Sequence, residues 1–200
     1  LMVGRRTSMS HDRGFETTEY YGQEIYNYTG TASHSQGESR TDNLELTSKY
    51  NHTWDKHRFD ALVGYSYQYN VNEGFNAWNR NFPTDFFEYN NLGSGNYLKD
   101  GKAGMGSYKD DNTLIGFFGR VSYGYDNKYN VLVSVRREGS SKFGANNKWG
   151  TFPSVSLGWT ISNEEFMKSL TWLNNLKLRA GYGVTGVIPG SSYESLVRYT

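Results

Sequence analysis

The 200-residue chain has no cysteine, three prolines, almost no net charge and no long apolar run. Without cysteine there is neither a disulfide framework nor a Cys-type zinc site. No window approaches the roughly 20 consecutive apolar residues that a membrane-spanning helix requires, so a helical membrane protein is excluded. Twenty-one basic residues against 20 acidic ones leave a net charge of +1, and no global field recruits a nucleic acid or an anionic surface. The four histidines, His11, His34, His52 and His57, lack metal-ligand spacing. The opening Leu1-Met2-Val3-Gly4-Arg5-Arg6 has no apolar signal-peptide core, which fits a cytosolic protein or an internal piece of a longer polypeptide.

What the chain does have is aromatic: 16% of residues, 17 of them tyrosine, in a chain that is only 36% hydrophobic with a mean hydropathy of −0.74. These rings alternate with polar residues. Leu44, Leu46, Tyr50 and Trp54 interleave with Asn43, Glu45, Thr47, Lys49, Asn51 and Thr53, a two-residue period that a strand sorts onto two faces. After a turn at Asp55-Lys56-His57, Phe59, Ala61, Val63, Tyr65, Tyr67, Tyr69 and Val71 oppose Asp60, Gly64, Ser66, Gln68 and Asn70. Ile115 to Tyr125 and Tyr129 to Arg136 repeat the pattern around Asp126-Asn127-Lys128, and Ser154–Ile161 and Leu176–Thr185 extend it. Residues 1–13 read as turn or loop, 15–28 as a strand, and the Ser/Gly/Thr-rich 30–40 as loop. Residues 74–111 and 137–150 read as long loops, and 162–170 as two turns of helix with acids in its first turn.

The fold class is therefore all-β, with short connections at 55–57 and 126–128 and long ones at 30–42, 74–112 and 137–150. An antiparallel up-and-down chain with its short turns at one end is the layout of a transmembrane β-barrel. A soluble β-sandwich gives the same period, and a secreted carbohydrate-binding module of that kind is the competing reading. Two features favour the barrel. Several stripes run about ten residues, enough to cross a bilayer at a tilt. In addition, Trp54, Phe59, Tyr123, Tyr125, Tyr129, Trp159 and Trp172 collect beside the short turns, where an interfacial aromatic girdle belongs.

Four runs carry a resemblance: Phe118-Gly119-Arg120-Val121-Ser122-Tyr123, Val135 to Gly144, Lys148 to Trp159, and Leu176 to Gly186. With Leu62–Gln68 and Asn81–Asp85 they span about residues 41–186, and the chain there resembles the SusC/RagA family of TonB-dependent outer-membrane transporters. Glu138, where the family more often has Asp, and Val187, where an Asn is common, depart from the pattern. The resemblance implies a plugged barrel of about 22 strands, of which residues 1–200 hold about seven, the plug domain and remaining strands being absent. It also implies a bacterial outer-membrane location and import of oligosaccharides or peptides with a SusD-like surface lipoprotein. Energy would come from a TonB complex acting on the absent plug, with the lipid bilayer as the remaining partner. A signal-transducing relative is a further alternative. No catalysis, metal or cofactor is expected.

Arg120, Lys177 and Arg179 lie on the polar side of their strands and are expected to face the lumen and the plug. Trp78, Asn79, Phe82, Tyr89, Asn90, Asn91 and Tyr97, in the long loop, combine flat rings with amides and suit sugar or peptide surfaces, or equally the packing of the loop on itself. Arg136 and Arg137 are expected to hold the rim through Glu138. Gly181-Tyr182-Gly183-Val184-Thr185-Gly186 spells a dinucleotide fingerprint, but Val187-Ile188-Pro189-Gly190 cannot open the helix that fingerprint needs.

Overall fold

A computed structural model describes residues 1–19, 25, 28–144, 147–170, 172–187, 190 and 192. Among them lie seven strands: β1 (Met2–Glu16), β2 (Thr31–Trp54), β3 (His57–Arg80), β4 (Gly104–Tyr125), β5 (Tyr129–Ser140), β6 (Trp149–Thr160) and β7 (Lys177–Gly183). They form one sheet in which each strand is hydrogen-bonded to its sequence neighbours, in the order β1 to β7. By Cα packing the chain divides into two compact units. One holds residues 1–4, 42–69 and 112–200, the other 5–41 and 70–111, and β1 to β4 each contribute to both.

In the first unit the strand register turns the sequence period into two chemically opposite faces. Val121, Val133, Val155 and Tyr182 form one cross-strand row, and Tyr123, Val131, Leu157 and Ala180 the next. On the other face Arg120, Ser134, Ser154 and Gly183 are in register, as are Ser122, Leu132, Ser156 and Gly181. The apolar face is uncovered: Val133 is 50% and Leu157 52% exposed. A soluble protein hides such a row, so a single open sheet with a bare aliphatic face excludes the two-layer sandwich. The tight turns are built as read from the sequence, with Asp55 (φ 48), Asp126 (φ 51) and Asn127 (φ 54) in the left-handed region that Asp and Asn tolerate.

Six segments differ from the sequence reading. Residues 2–13 read as loop but are strand, and of the strand expected over 15–28 only Phe15 and Glu16 are strand, as the end of β1; residues 20–24, 26 and 27 lie outside the described set. The polar stretch 31–40 is the start of β2. The loop expected over 74–111 shrinks to 81–103, and that over 137–150 to 141–148. For the segments in the second unit the reason is visible, because polar side chains pair across its strands. Thr41 Oγ1 donates to Asn70 Oδ1 (2.9 Å), Asn72 Nδ2 to Asp110 Oδ1 (3.1 Å), and Lys109 Nζ meets Glu73 Oε2 at 2.6 Å. A ladder satisfied in this way needs no apolar stripe, so periodicity cannot reveal it. Finally, the helix expected at 162–170 is replaced by two single 3₁₀ turns, Ile161–Asn163 and Glu165–Met167.

Candidate functional site

The 81–103 connection follows from one buried side chain. Asn79, 2% exposed at the end of β3, donates from Nδ2 to the carbonyls of Leu92 (2.6 Å) and Gly95 (2.8 Å). Its Oδ1 accepts from the backbone N–H of Arg80 (2.8 Å) and Leu98 (3.1 Å). An asparagine side chain has two donors and an acceptor with two lone pairs, so these four bonds use its full capacity. Phe82, 4% exposed, is the apolar counterpart. Asp85 accepts from the backbone N–H (2.8 Å) and hydroxyl (3.1 Å) of Thr18, and Asn81 Oδ1 accepts from the Thr29 N–H (2.7 Å).

The seven residues singled out for ligand contact therefore separate. Asn79 and Phe82 are occupied in folding the loop, and Trp78 and Asn79 belong to β3 itself. Asn90 and Asn91 are exposed at the loop surface, and Tyr89 and Tyr97 are half-buried. The Arg13 guanidinium lies 5.6 Å from the Tyr89 ring centroid and the His34 ring 5.8 Å, while the Lys102 ammonium lies 5.5 Å from that of Tyr97. Such ring and amide surfaces beside fixed cations can stack on a sugar ring or a peptide plane.

In the first unit, Arg120, Lys177 and Arg179 stand on the glycine- and serine-lined face. Arg120 pairs in register with Ser134, Arg179 with Gly158 and Lys177 with Thr160. Nearer the 141–148 loop, Phe118 lies over Gly64, where an added Cβ would be 2.2 Å from Cζ, and Arg136 lies 5.4 Å from the Phe118 centroid. Arg136 Nε also bonds Glu138 Oε1, the rim pair anticipated from sequence. Arg137, on the opposite face, instead stacks on Trp149 at 5.5 Å. The fingerprint glycines line the sheet: Gly183 opposes Ser154, and Gly186 leaves room for Phe152, whose Cε1 would lie 2.4 Å from a Cβ there.

The short-turn end is built from aromatics and one acid. Tyr125, Tyr129, Trp159 and Leu178 share a cross-strand row. Trp54 stacks on His57 (5.4 Å, 10°), whose Nδ1 lies 2.6 Å from the Tyr123 hydroxyl, and on His52 (5.4 Å). Sequence reasoning set both histidines aside because it asked only about metals; for His52 the usable signal was its two-residue spacing from Tyr50 and from Trp54. Glu164 accepts from the Tyr129 hydroxyl (2.5 Å) and Trp159 Nε1 (3.0 Å), and Lys128 Nζ lies 3.2 Å from its other oxygen. The Tyr129 hydrogen bond, then that of Trp159, holds the Glu164 carboxyl below the usual glutamate range despite desolvation. The Lys128 ammonium is pushed above its ordinary range, chiefly by its bond to Glu164. Glu164 thus ties adjacent strands together at the interface, where a helix N-terminus was expected.

One apolar face uncovered, one polar face of small residues and an aromatic row at the short-turn end define the class: a wall of an antiparallel β-barrel built to stand in a bilayer. The family model "TonB dependent receptor-like, beta-barrel" matches residues 4–197, and the chain belongs to that family of outer-membrane barrels. TonB-dependent receptor P3 of Formosa agariphila is 38% identical over 151 residues, covering 76% of this chain and 15% of the relative. TonB-dependent receptor SusC of Bacteroides thetaiotaomicron is 48% identical over 80 residues, 40% of this chain and 8% of SusC. A chain of the RagAB peptide transporter structure superposes with a TM-score of 0.79 at 25% identity, over 90% of this chain and 20% of that one. The chain thus spans 15% of the length of receptor P3, 8% of SusC and a fifth of that solved chain.

Proposed function

We propose that residues 1–200 are one part of the wall of an energy-coupled importer whose whole chain carries a plug domain and the remaining strands of the barrel. The importer takes up oligosaccharides or peptides across the outer membrane. It works with a SusD-like surface lipoprotein and is driven by a TonB complex acting on the plug. The observation that carries this reading is the pair of opposed faces in β4 to β7, combined with the likeness to SusC and to a RagAB peptide transporter chain. Arg120, Lys177 and Arg179 project from the small-residue face, and the plug is their natural partner: long cations over glycine and serine leave room for another domain's carboxylates. Trp78, Tyr89, Asn90, Asn91 and Tyr97 supply the ligand surface, with Asn79 and Phe82 setting the loop that presents it.

Deletion of the full-length gene tests the reading. Loss of growth on one glycan or peptide class, restored by the intact gene and not by a plug-deleted one, is the expected result. Unchanged uptake of every such nutrient contradicts it.

A further inference from the structure

Arg80 closes β3, and its guanidinium lies against two rings. Its Cζ is 3.9 Å from the Tyr28 centroid and 4.9 Å from that of Trp78. Neither ring is loosely placed. Asn81 donates its N–H to the Gly30 carbonyl (3.2 Å) and accepts from Thr29 (2.7 Å), which ties the segment carrying Tyr28 to the end of β3. Trp78 rests on the bare backbone of Gly104, where an added Cβ would lie 2.2 Å from the indole nitrogen. The Arg80 backbone is itself held by Asn79 Oδ1 (2.8 Å).

What this arginine lacks is a counter-ion. Arg136 has Glu138 and Arg58 has Asp60, whereas among the described residues Arg80 has no carboxylate within ion-pair distance. Its Nε is buried with no acceptor. Ring contact shields guanidinium surface from water, while the N–H groups, which lie in the guanidinium plane, still have to be satisfied. The acceptor that matches a planar fork is a carboxylate, bound by two parallel N–H···O bonds.

We propose that Arg80 is a carboxylate-binding residue, its Nη groups gripping an anionic group of the transported ligand while Tyr28 and Trp78 fix the plane. The ligand is then anionic, its carboxylate being either the free C-terminus of a peptide or a uronic acid of an oligosaccharide. This deepens the ligand reading given above and rests on it for the claim that the bound group belongs to a transported molecule.

The test is calorimetric titration of the full-length protein in detergent with two matched pairs: acetyl-dialanine against its C-terminal amide, and a glucuronic-acid-terminated disaccharide against its methyl ester. The acid of one pair should bind about 10- to 100-fold more tightly than its neutral partner, the span expected for charge-assisted bonds. Arg80→Gln should erase that preference while leaving the neutral probe unchanged. Arg80→Lys should recover only a small part of it, because an ammonium cannot make the fork. The pair that responds identifies the source of the carboxylate. No acid preference in either pair, a preference that survives Arg80→Gln, or equal loss of acid and neutral probes overturns the inference; the last result makes Arg80 a structural lock held against two rings. Tyr89→Ala combined with Asn90→Ala separates the two readings. If that variant leaves both probes unchanged while Arg80→Gln still erases the acid preference, the loop surface is wrong and the carboxylate site stands.

Discussion

Placing arginine at Val133 and at Ser134 puts the same charge at one depth on opposite faces. Val133 lies four residues from Tyr129 in the aromatic row and is in register with Val121 and Val155. At about 3.4 Å per residue and a tilt near 40°, four residues carry the chain roughly 10 Å inward, close to the middle of an apolar band about 25 Å tall. Val133→Arg should therefore cost about 2–4 kcal/mol, the penalty for arginine on the lipid face near the midplane. Ser134→Arg should cost only about 1–2 kcal/mol, because residue 134 lies on the polar face and the change loses one hydroxyl bond to Ser154 (2.7 Å) and sets a like charge opposite Arg120, with no transfer of charge into lipid. Urea unfolding of the full-length barrel in phospholipid vesicles, followed by tryptophan fluorescence, measures both. Equal costs, or a larger cost at Ser134, would refute the assignment of faces.

Other positions test the packing in the same way. Gly64→Ala places a methyl 2.2 Å from Phe118 Cζ, so the ring must withdraw by about 1.2 Å (3.4 less 2.2) to reach ordinary contact. An overpacking cost of about 1–3 kcal/mol is expected, and Phe118→Ala in the same chain should remove most of it; additive effects would show that the two do not touch. Asn79→Ala breaks four hydrogen bonds to the 81–103 connection, and limited proteolysis should then cut within residues 86–100 at least about tenfold faster. Because hydrogen bonds hold the Glu164 carboxyl below its unfolded value, its contribution is present above the ordinary glutamate range and is lost as pH falls through the depressed folded value. Stability measured from pH 7 down to pH 3 should therefore decline less steeply in Glu164→Gln than in the parent, and parallel curves would remove Glu164 as the cause.

The strands that meet lipid were legible because a bilayer enforces period two: Val131, Val133 and Val135 have to alternate with Asn130, Ser134 and Arg136. Outside that constraint the signal vanishes. Residues 31–40 and 104–111 are continuous strand, as β5 is, yet pairs such as Asn72 with Asp110 leave no apolar trace. The aromatic row was legible because Tyr125, Tyr129 and Trp159 flank short turns. The role of Glu164 was not, since its partners Tyr129 and Trp159 come together only through the register. Likewise Asn79 was singled out for ligand contact or for packing of the loop on itself, and only the fold shows all four of its bonds directed inward. Arg80 escaped notice because nothing in sequence marks a cation held against rings 2 and 52 positions away.

The two-faced wall is tested most directly by spin labels at single cysteines, for which this stretch offers a clean background with no native cysteine. In the full-length barrel reconstituted in lipid, a label at Val133 or Leu157 should be relaxed strongly by oxygen and weakly by a water-soluble nickel chelate. A label at Ser134 or Ser156 should show the reverse order. The same order at all four positions, or high nickel accessibility at Val133 and Leu157, would contradict a barrel wall that turns its aliphatic rows to the bilayer.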